Sequence, residues 1–537
     1  MNRKLLNIAL MSLALFTTAI QAEGKGVKAS VTGRVTADGK GIAGVVVSDG
    51  YELAVTDSKG CYKLPSKKEN GYVFVSTPGG YSPPMDGNTP VFWKPLTEST
   101  DKTETVDFEL KKVTDRKHAF IATSDKHLTR RNGDLEQYAV FVKDINATAD
   151  SLRAAGYHVE GIDLGDLTWD QHWRSRDMGP AKVKKIEQAI DMPLYHLMGN
   201  HDNDPYFNSD REAEKTFERE FGPIYYSFNI GETHYVVLDN IIYDSHGATP
   251  DTMGSRTFRV DFTKHVMDWF KKDLATVKDK SAPLIVSMHA PLFHVDRSLM
   301  PARYRLPDGE GFEECLKGFS NVRVLSGHSH VINNIPLKGG NGIEHNIPSI
   351  CGTFWYTDAL SGNHICRDGS PAGYLVILMD GDQIERVYYK CYDFPADYQF
   401  RAYDMNTTSV DSTKIADPVT LKKYSMGYMT PRTDNEVLIN VFNYDPSWKI
   451  EVTENGKSLS VIRLASYDPL HALSYNCNQM ATGKKPSKGG LTAITTHLFK
   501  VKAKSPTSTL DIKVTDGYGR VYRQLMKRPK RFHEAMW

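Results

Sequence analysis

The stretch AFIATSDKH, residues 119–127, joins an apolar run to a polar cluster. Residues 119–124 form a short apolar run bounded by polar residues, which predicts a buried strand. Asp125 and His127 follow directly, so a carboxylate and an imidazole lie where the strand ends. In α/β sheets, ligands bind at the carboxyl ends of the strands. The stretch therefore predicts one part of a binding site in an α/β domain.

Four further polar clusters repeat this arrangement. Each follows an apolar run that ends near residue 164, 198, 288 or 326. The clusters are Gly165-Asp166, Gly199-Asn200-His201-Asp202, Met288-His289-Ala290-Pro291 and Gly327-His328-Ser329-His330. Loops at neighbouring strand ends direct side chains toward one point. We therefore expect the five clusters to converge in space.

The residue types in these clusters indicate a metal centre. Carboxylate, imidazole and amide groups form a mixed nitrogen and oxygen shell, which suits Mn, Fe or Zn better than Mg or Ca. The ligands are too many for one ion, and a carboxylate can bridge two ions that hold a nucleophilic hydroxide. A single histidine at a strand end is more often structural, but five clusters in this order favour two divalent metal ions.

The order D-x-H, G-D, G-N-H-D, H, G-H-x-H resembles the calcineurin-like metallophosphoesterase superfamily. The resemblance covers about residues 120–330, and every core ligand of the pattern is present. It implies a two-sheet sandwich flanked by helices and an activity of phosphoester hydrolysis. The outer regions resemble those of three-part bacterial exported members, which carry a β-domain on each side.

The resemblance also implies a role for each residue of the pattern. The first metal would be held by Asp125, His127 and His330, the second by Asn200, His289 and His328, and Asp166 would bridge the two. His201 would assist the leaving group. Asp202 would orient His201, although an exposed turn-capping aspartate is an equal alternative.

One departure from a related group concerns the metal. Purple acid phosphatases resemble this pattern but carry a tyrosine ligand three residues after the Gly-Asp aspartate, where this chain has Trp169. The substitution argues against a ferric–tyrosinate site and favours a Mn, Fe(II) or Zn centre.

Four residues near the clusters are candidates for substrate binding. Arg130 and Arg131 follow the first cluster, and guanidinium groups suit phosphate oxygens. His294 follows His289, and Trp355 follows His330 and could stack on a base or a sugar. Surface exposure of the arginines and core packing of Trp355 are the simpler alternatives.

The fold class predicted is α/β with β-rich regions on both sides. Short runs separated by Gly and Asp turns predict an N-terminal β-sandwich over residues 26–112. Strand-like runs alternate with helical patterns over residues 116–395, including a helix over 135–155 and a hairpin over 373–391. Residues 396–537 predict a C-terminal β-rich domain.

The N-terminus predicts export. Residues 1–22 have the basic start, apolar run and small-residue end of a signal peptide, which implies a periplasmic or secreted protein without a transmembrane segment after its removal. The formal net charge is +1, so nucleic acid is not expected as a bulk partner. Of the six cysteines, Cys351 and Cys366 are candidates for a disulfide, with buried free thiols as the alternative.

These observations predict a metal-dependent phosphoesterase that hydrolyses a small extracytoplasmic phosphomonoester or phosphodiester. The alternative is a cell-envelope protein that binds glycan or acts as a scaffold and carries a vestigial metal site. The oligomeric state stays open.

Overall fold

The computed structural model describes residues 30–535, except 296, 412, 414 and 416. The predicted signal peptide lies outside these residues. Within the described range, no helix combines the length and the apolar character needed to cross a membrane. The chain divides into two compact units: residues 30–75 with Trp93–Glu109, and Ser76–Phe92 with the chain from Leu110 onward.

The first unit is built from β-strands in two sheets, as the turn spacing predicts. One sheet centres on β1, which pairs with β2, β5, β11 and β12, and the other has the order β10-β6-β3-β4. The strands between residues 31 and 112 are β1 (Val31–Ala37), β2 (Lys40–Gly41), β3 (Val46–Ser48), β4 (Leu53–Val55), β5 (Cys61–Leu64), β6 (Tyr72–Ser76), β7 (Tyr81–Ser82), β8 (Met85–Asp86), β9 (Thr89–Pro90), β10 (Trp93–Pro95), β11 (Glu104–Thr105), β12 (Phe108–Glu109) and β13 (Lys111–Lys112).

The segment Ser76–Phe92 belongs to the second unit, although it lies within the residues predicted as the N-terminal β-sandwich. Thr77 forms a β-bridge with Phe228, and the Asn88 side chain donates to the Glu187 carbonyl at 2.8 Å. These contacts attach the segment to the second unit, although the residues just before and just after it in sequence belong to the first unit.

The second unit contains the predicted α/β domain, and its fold class is confirmed. It has a five-stranded sheet, β16-β15-β14-β25-β26, and a six-stranded sheet, β17-β18-β21-β22-β24-β23. The strands are β14 (Lys117–Thr123), β15 (His158–Asp163), β16 (Leu194–His196), β17 (Tyr226–Ile230), β18 (Thr233–Leu238), β19 (Ile241–Tyr243), β20 (Phe258–Val260), β21 (Leu284–Met288), β22 (Val322–Ser326), β23 (Asn333–Pro336), β24 (Gly342–Asn346), β25 (Gly373–Asp380) and β26 (Gln383–Cys391). The helices are Asp134–Ala154, Pro180–Glu187, Asp210–Phe221, Lys264–Thr276, Gly309–Cys315 and Tyr356–Ser361.

Aromatic side chains join the two sheets face to face. The rings of Phe120 on β14 and Tyr235 on β18 lie 4.5 Å apart, and those of Tyr195 on β16 and Phe228 on β17 lie 3.8 Å apart. Burial on both faces explains why these strands read as continuous apolar runs. Strands β14, β15 and β16 run parallel to one another, as do β18, β21 and β22, so their carboxyl ends gather at common edges.

The C-terminal region is β-rich, as predicted, and belongs to the same compact unit as the α/β domain. Its sheets have the orders β27-β28-β32-β31 and β30-β29-β33-β34 and enclose a core that includes Ile439, Phe499 and Ile512. Its strands are β27 (Phe400–Asp404), β28 (Glu436–Val441), β29 (Lys449–Glu454), β30 (Lys457–Ser458), β31 (Ile462–Tyr467), β32 (Ile494–Lys502), β33 (Leu510–Thr515) and β34 (Val521–Met526). Its helices are Pro418–Tyr424, Pro469–His471 and Asn478–Ala481.

The six cysteines are free thiols. Cys351 and Cys366 are buried, so the alternative of free buried thiols describes them and the suggested disulfide does not form. The Cys351 sulfur lies 3.9 Å from His330 Nδ1, and the Cys366 sulfur lies 3.7 Å from the Ser349 hydroxyl.

Candidate metal centre

Five strand ends supply the polar clusters. Three of these strands belong to the five-stranded sheet and two to the six-stranded sheet. Asp125 and His127 follow β14, Asp166 follows β15, Asn200 and His201 follow β16, His289 follows β21, and His328 and His330 follow β22. The structure brings the seven predicted ligands together where the two sheets meet.

Five of these seven residues have a left-handed backbone. The φ angles are 54° at Asp125, 43° at His127, 55° at Asp166, 66° at His328 and 53° at His330. A residue with a Cβ atom adopts this conformation at an energetic cost, and such residues concentrate at functional sites. The loops are thus shaped to direct these side chains inward.

Asp125 offers one carboxylate oxygen to the centre. Its Oδ2 accepts hydrogen bonds from the Ser124 hydroxyl at 2.5 Å and from the His328 backbone N–H at 2.8 Å. Its Oδ1 is buried, has no hydrogen-bond partner within the described chain and lies 3.4 Å from His330 Nε2. A buried carboxylate oxygen without a donor is a suitable ligand for a cation.

Asp166 lies between two groups of histidines. Its Oδ1 accepts a hydrogen bond from the His201 backbone N–H at 2.8 Å. Its Oδ2 lies 3.6 Å from His127 Nε2 on one side and 3.4 Å from His289 Nε2 on the other. The free oxygen is therefore placed to contact ions on both sides.

The histidine nitrogens face one another at short distances. His127 Nε2 lies 3.0 Å from His330 Nε2, and His289 Nε2 lies 3.2 Å from His328 Nδ1. The Asn200 amide oxygen lies 3.2 Å from His289 Nε2. His289 Nδ1 also lies 2.7 Å from the Leu164 carbonyl, so its Nδ1–H donates there and its Nε2 is directed toward Asp166 and Asn200.

The surroundings of His127 and Asp166 keep these two groups in the form that binds metal. Burial lowers the pKa of His127 to about 3, which favours neutral imidazole. Although burial alone would raise the pKa of Asp166, the neighbouring His289 and His201 hold it well below its ordinary value. Asp166 belongs to two groups of residues whose ligand atoms lie within 4.8 Å of one another. One group contains His127 and His201, and the other contains His289 and His328. The residues therefore fit a pair of divalent ions.

His201 has a different orienting partner from the one predicted. Its Nδ1 lies 3.0 Å from Oδ1 of the buried Asp170, and Arg256 Nη1 donates to the same oxygen at 3.0 Å. Asp170 lies in the short 3₁₀ helix Asp170–His172, which follows the Gly165-Asp166 cluster. The sequence interpretation missed Asp170 and Arg256. An aspartate four residues after Asp166 was the available signal.

Asp202 organises the loop, and the expectation that it orients His201 or lies exposed at a turn is corrected. Its side chain is fully buried. Its carboxylate accepts hydrogen bonds from the backbone N–H groups of Gly199 at 2.9 Å and Leu167 at 3.0 Å. It therefore joins the loop after β16 to the loop after β15.

Lys126 anchors the first cluster from behind. Its ammonium contacts Asp163 at 2.8 Å and forms an ion pair with Glu187, and Glu187 also lies 3.2 Å from His196 Nε2. All four side chains are buried. Although burial alone would lower the pKa of Lys126, Asp163 and Glu187 raise it above its ordinary value. The ion pairs hold the loop that carries Asp125 and His127.

An aromatic surface borders the centre beside His127. The rings of Trp169 and Phe354 lie 5.5 Å and 5.6 Å from the His127 ring and 5.5 Å from each other. The guanidinium of Arg131 lies 4.9 Å from the Trp169 ring centroid. Trp169, Phe354 and Arg131, here called the aromatic wall, are each half-buried.

Trp355 does not belong to the aromatic wall, so its predicted stacking role is corrected in favour of core packing. Its side chain is 2% exposed, and its indole N–H donates to the Lys126 carbonyl at 2.8 Å. Phe354, the preceding residue, takes the place at the wall. Both residues have a left-handed backbone.

The remaining candidates lie away from the ligands. Arg130 donates to the Arg176 carbonyl at 3.1 Å and contacts Asp177 at 3.7 Å, and His294 is exposed. The sequence interpretation missed Arg305, whose guanidinium lies 2.8 Å from His328 Nε2. Arg305 lies between β21 and β22 in sequence and outside the polar clusters that follow these two strands. The sequence pattern therefore did not identify it.

Comparison with known proteins agrees with this geometry. Residues 119–332 match the profile described as Calcineurin-like phosphoesterase, residues 29–113 its N-terminal profile, and residues 344–522 its C-terminal profile. The chain belongs to the calcineurin-like phosphoesterase family. This membership supports a hydrolase, and the family implies divalent metal ions.

Individual relatives are more distant. Over 179 residues the chain is 31% identical to purple acid phosphatase 15 of Arabidopsis thaliana, a match that spans 30% of this chain and 27% of that protein. A purple acid phosphatase from yellow lupin (Lupinus luteus) seeds is 12% identical with a TM-score of 0.34, covering 64% of this chain and 57% of its own. PhoD has the same identity and score, covering 63% and 77%. The chain thus spans less than two thirds of either purple acid phosphatase.

Proposed function

We propose that the protein is a dinuclear metal-dependent phosphohydrolase that acts on an extracytoplasmic phosphomonoester or phosphodiester. The observation that carries the proposal is the position of Asp166 Oδ2, 3.6 Å from His127 Nε2 and 3.4 Å from His289 Nε2. A carboxylate oxygen between two sets of imidazoles is placed to join two ions.

The seven predicted ligands would divide between two metal positions, and Asp166 would belong to both. Asp125, His127 and His330 would hold one ion, and Asn200, His289 and His328 would hold the other. When bound, such a pair supplies Lewis acidity that activates water and neutralises the charge of the phosphoryl group. The mixed nitrogen and oxygen donors favour Mn, Fe or Zn.

His201 is placed to handle the proton of the leaving group. Its side chain is 26% exposed, in contrast to the buried ligands around it. Asp170 accepts the Nδ1–H hydrogen bond, so only Nε2 is left to exchange a proton with a substrate. Arg256 donates to Asp170 and thereby keeps its carboxylate in place.

The surroundings of the centre favour a substrate with a ring. Trp169 and Phe354 offer flat apolar surfaces beside His127, and aromatic faces pack against planar or ring-shaped groups. Arg131 on Trp169 and Arg305 on His328 provide guanidinium groups that suit phosphate oxygens. These features support ring-bearing esters, including nucleotides, over small aliphatic ones.

The test is hydrolysis by the full chain of p-nitrophenyl phosphate and of bis-p-nitrophenyl phosphate, after chelation and with Mn, Zn or Fe(II) added back. We expect activity to disappear with the chelator and to return with one of these metals, and the preferred ester to separate monoesterase from diesterase. Asp166→Asn should abolish turnover, and Asp251→Asn, at an exposed loop position, is the matched control.

A different result would favour the glycan-binding or scaffold alternative. If neither ester nor a panel of nucleotides is hydrolysed while metal analysis shows bound ions, the hydrolytic proposal is wrong. The extracytoplasmic setting is tested separately, by fractionation of cells that express the chain with and without residues 1–22.

A further inference from the structure

Arg131 is held in a fixed position beside the metal centre. Its Nε–H donates to the Thr129 hydroxyl at 3.1 Å, and its guanidinium carbon lies 4.9 Å from the Trp169 ring centroid. Thr129 is fixed in turn, because its backbone N–H donates to the buried Asp134 carboxylate at 2.6 Å. The hydrogen bond and the aromatic face therefore determine both the position and the plane of the guanidinium.

The loop that carries Arg131 is also attached to Phe354, the other aromatic residue of the wall. The Asn132 side-chain amide donates to the Phe354 carbonyl at 3.1 Å, and the Gln137 amide donates to the Asn132 carbonyl at 2.6 Å. One cleft brings these groups to a predicted metal ligand, since its lining includes His127, Arg131, Asn132, Trp169 and Phe354. The guanidinium is thus preorganised at the edge of the metal centre.

The two terminal nitrogens of Arg131 are available to a ligand. Neither Nη1 nor Nη2 has a hydrogen-bond or ion-pair partner among the described residues. Neither belongs to the buried side-chain atoms that lack a partner, so both are accessible, and the residue lines the cleft. Two parallel N–H donors on one guanidinium match two oxygens of a single anionic group. The fork therefore offers a site for an anion.

The electrostatic surroundings of Arg131 also favour an anion. Burial lowers the pKa of Arg131, and Arg176 lowers it further as a like charge. Arg176 itself donates to the Arg130 carbonyl rather than to a carboxylate. Asp134 acts in the opposite sense, but its carboxylate already accepts a backbone N–H. Burial, with Arg131 and Arg176, lowers the pKa of His172 to about 4, so this neighbouring ring is neutral. An anionic ligand would relieve the repulsion between the two arginines.

Arg131 lies to one side of the metal positions. Its guanidinium carbon is 4.9 Å from the Trp169 ring centroid, which is 5.5 Å from that of His127, so it lies within about 10 Å of the His127 ring. In the described chain it makes no hydrogen bond to any of the seven predicted ligands, whereas Arg305 lies 2.8 Å from His328 Nε2. A phosphoryl group at the metal centre would therefore meet the ligands, and Arg131 would meet a different part of the same substrate.

The charge of the site restricts the chemistry of that part. A phosphate monoester carries about two negative charges at neutral pH, whereas a carboxylate carries one. Arg131 with Arg176 nearby suits the more highly charged group. Trp169 contacts both Arg131 and His127 and is placed to pack against a ring that joins two such groups.

We propose that the substrate carries a second phosphoryl group on the far side of its ring, and that Arg131 binds this group while the first lies at the metal centre. The inference rests on the proposed function and narrows its substrate class from ring-bearing phosphoesters to ring-bearing bisphosphates.

The experiment is isothermal titration of the full chain, loaded with Mn and freed of excess metal, with benzylphosphonate, p-phosphonomethylbenzoate and p-xylylene diphosphonate. All three probes have a benzene ring and a phosphonate group. At the far end of the ring, the second probe adds a carboxylate and the third a second phosphonate. We expect p-xylylene diphosphonate to bind roughly tenfold or more tighter than benzylphosphonate, because a bidentate charged contact is added. Its symmetry alone would give about twofold.

Two variants assign the gain to one side chain. Arg131→Met should remove the preference for the second phosphonate, because methionine keeps the length of the side chain and loses the fork. Arg520→Met is the matched control, since it removes the same charge at an exposed position in the turn between β33 and β34 and should keep the preference. Thermal unfolding and metal analysis of each variant check that the fold and the metal content are intact.

Three results would overturn the inference: no gain from the second phosphonate in the wild type, a gain that Arg131→Met retains, or tighter binding of the carboxylate probe than of the diphosphonate. Phosphonates are not hydrolysed, so their binding is measured whether or not the chain turns over esters. Failure of the hydrolytic proposal and failure of this inference therefore give different results.

Discussion

His201 and Asp170 are joined by a contact of 3.0 Å from Nδ1 to Oδ1, although they belong to loops that follow different strands. Arg256, from a third loop, donates to the same aspartate oxygen at 3.0 Å. The half-buried imidazole is therefore held by a buried carboxylate that is itself fixed. In the proposed reaction, His201 would move the proton, and Asp170 and Arg256 would position His201.

Replacement of Asp170 by Asn should lower kcat by roughly 10–100-fold, because His201 would lose the partner that sets its orientation and tautomer. KM for p-nitrophenyl phosphate should change little, since Asp170 does not face the substrate. Steady-state kinetics across pH provide the measurement, and the pH profile of kcat should change shape. Unchanged kcat and an unchanged profile, with normal metal content, would show that Asp170 only supports the fold.

Replacement of Lys126 by Met should destabilise the protein by about 3–5 kcal/mol, because Asp163 and Glu187 would be left as buried charges without their cation. Urea denaturation measures the change. Lys185→Met, at an exposed lysine of the helix Pro180–Glu187, is the matched control and should stay within about 0.5 kcal/mol of the wild type. Equal stability of the two variants would contradict the anchoring role of Lys126.

Glu214 should make stability depend on pH. Burial, with the nearby Asp210, raises the pKa of Glu214 to about 8, so the folded state keeps its proton while the unfolded chain releases it. Its contribution is therefore fully present below the ordinary glutamate pKa and is lost as pH rises through about 8. The Glu214→Gln variant has no carboxyl group to ionise, so its stability should not show this loss as the pH rises.

Thermal unfolding of wild type and Glu214→Gln at pH 5 and pH 9 tests this sign. The Tm of the variant minus the Tm of the wild type should be larger at pH 9 than at pH 5. A constant Tm difference at the two pH values would mean that Glu214 ionises alike in the folded and unfolded chains.

The iron-loaded protein should lack the visible charge-transfer band of a ferric–tyrosinate centre. Trp169 occupies the sequence position at which purple acid phosphatases place their tyrosine ligand, and its ring lies 5.1 Å from His201 as part of the aromatic wall. An absorption spectrum after reconstitution with Fe provides the measurement. A ferric–tyrosinate band in the iron-loaded wild type would contradict this and reveal an unexpected tyrosine ligand.

The α/β class and the placement of the clusters at strand ends could be predicted because both depend on local sequence. Apolar runs such as that of β14 identify the strands, and parallel strands bring their carboxyl ends to one edge. The partner of His201 could not be predicted in the same way. Asp202 is adjacent to His201 in sequence whereas Asp170 is 31 residues away, and only the loop geometry turns Asp202 toward the backbone amides of Gly199 and Leu167 and brings Asp170 to His201.

The aromatic wall and the place of the segment Ser76–Phe92 in the second unit were not visible in the sequence, for related reasons. The left-handed backbone at Phe354 and Trp355 decides which ring faces the cleft, and sequence periodicity does not report backbone handedness. The strands β7, β8 and β9 are two residues long, too short to show an alternating pattern. Their assignment to the second unit depends on contacts with residues far along the chain, such as Phe228 and Glu187.

The left-handed backbone at five of the seven ligands has a consequence for how the protein changes over time. Each such residue costs roughly 1–2 kcal/mol that glycine would avoid, so the chain sacrifices stability at the positions that serve its chemistry. Exchange of such a ligand for glycine would relieve this backbone cost, but it would also remove a buried side chain and leave donors such as the His201 backbone N–H without their acceptor. The strained loops and the polar side chains that they carry are therefore expected to be lost or kept together rather than one residue at a time.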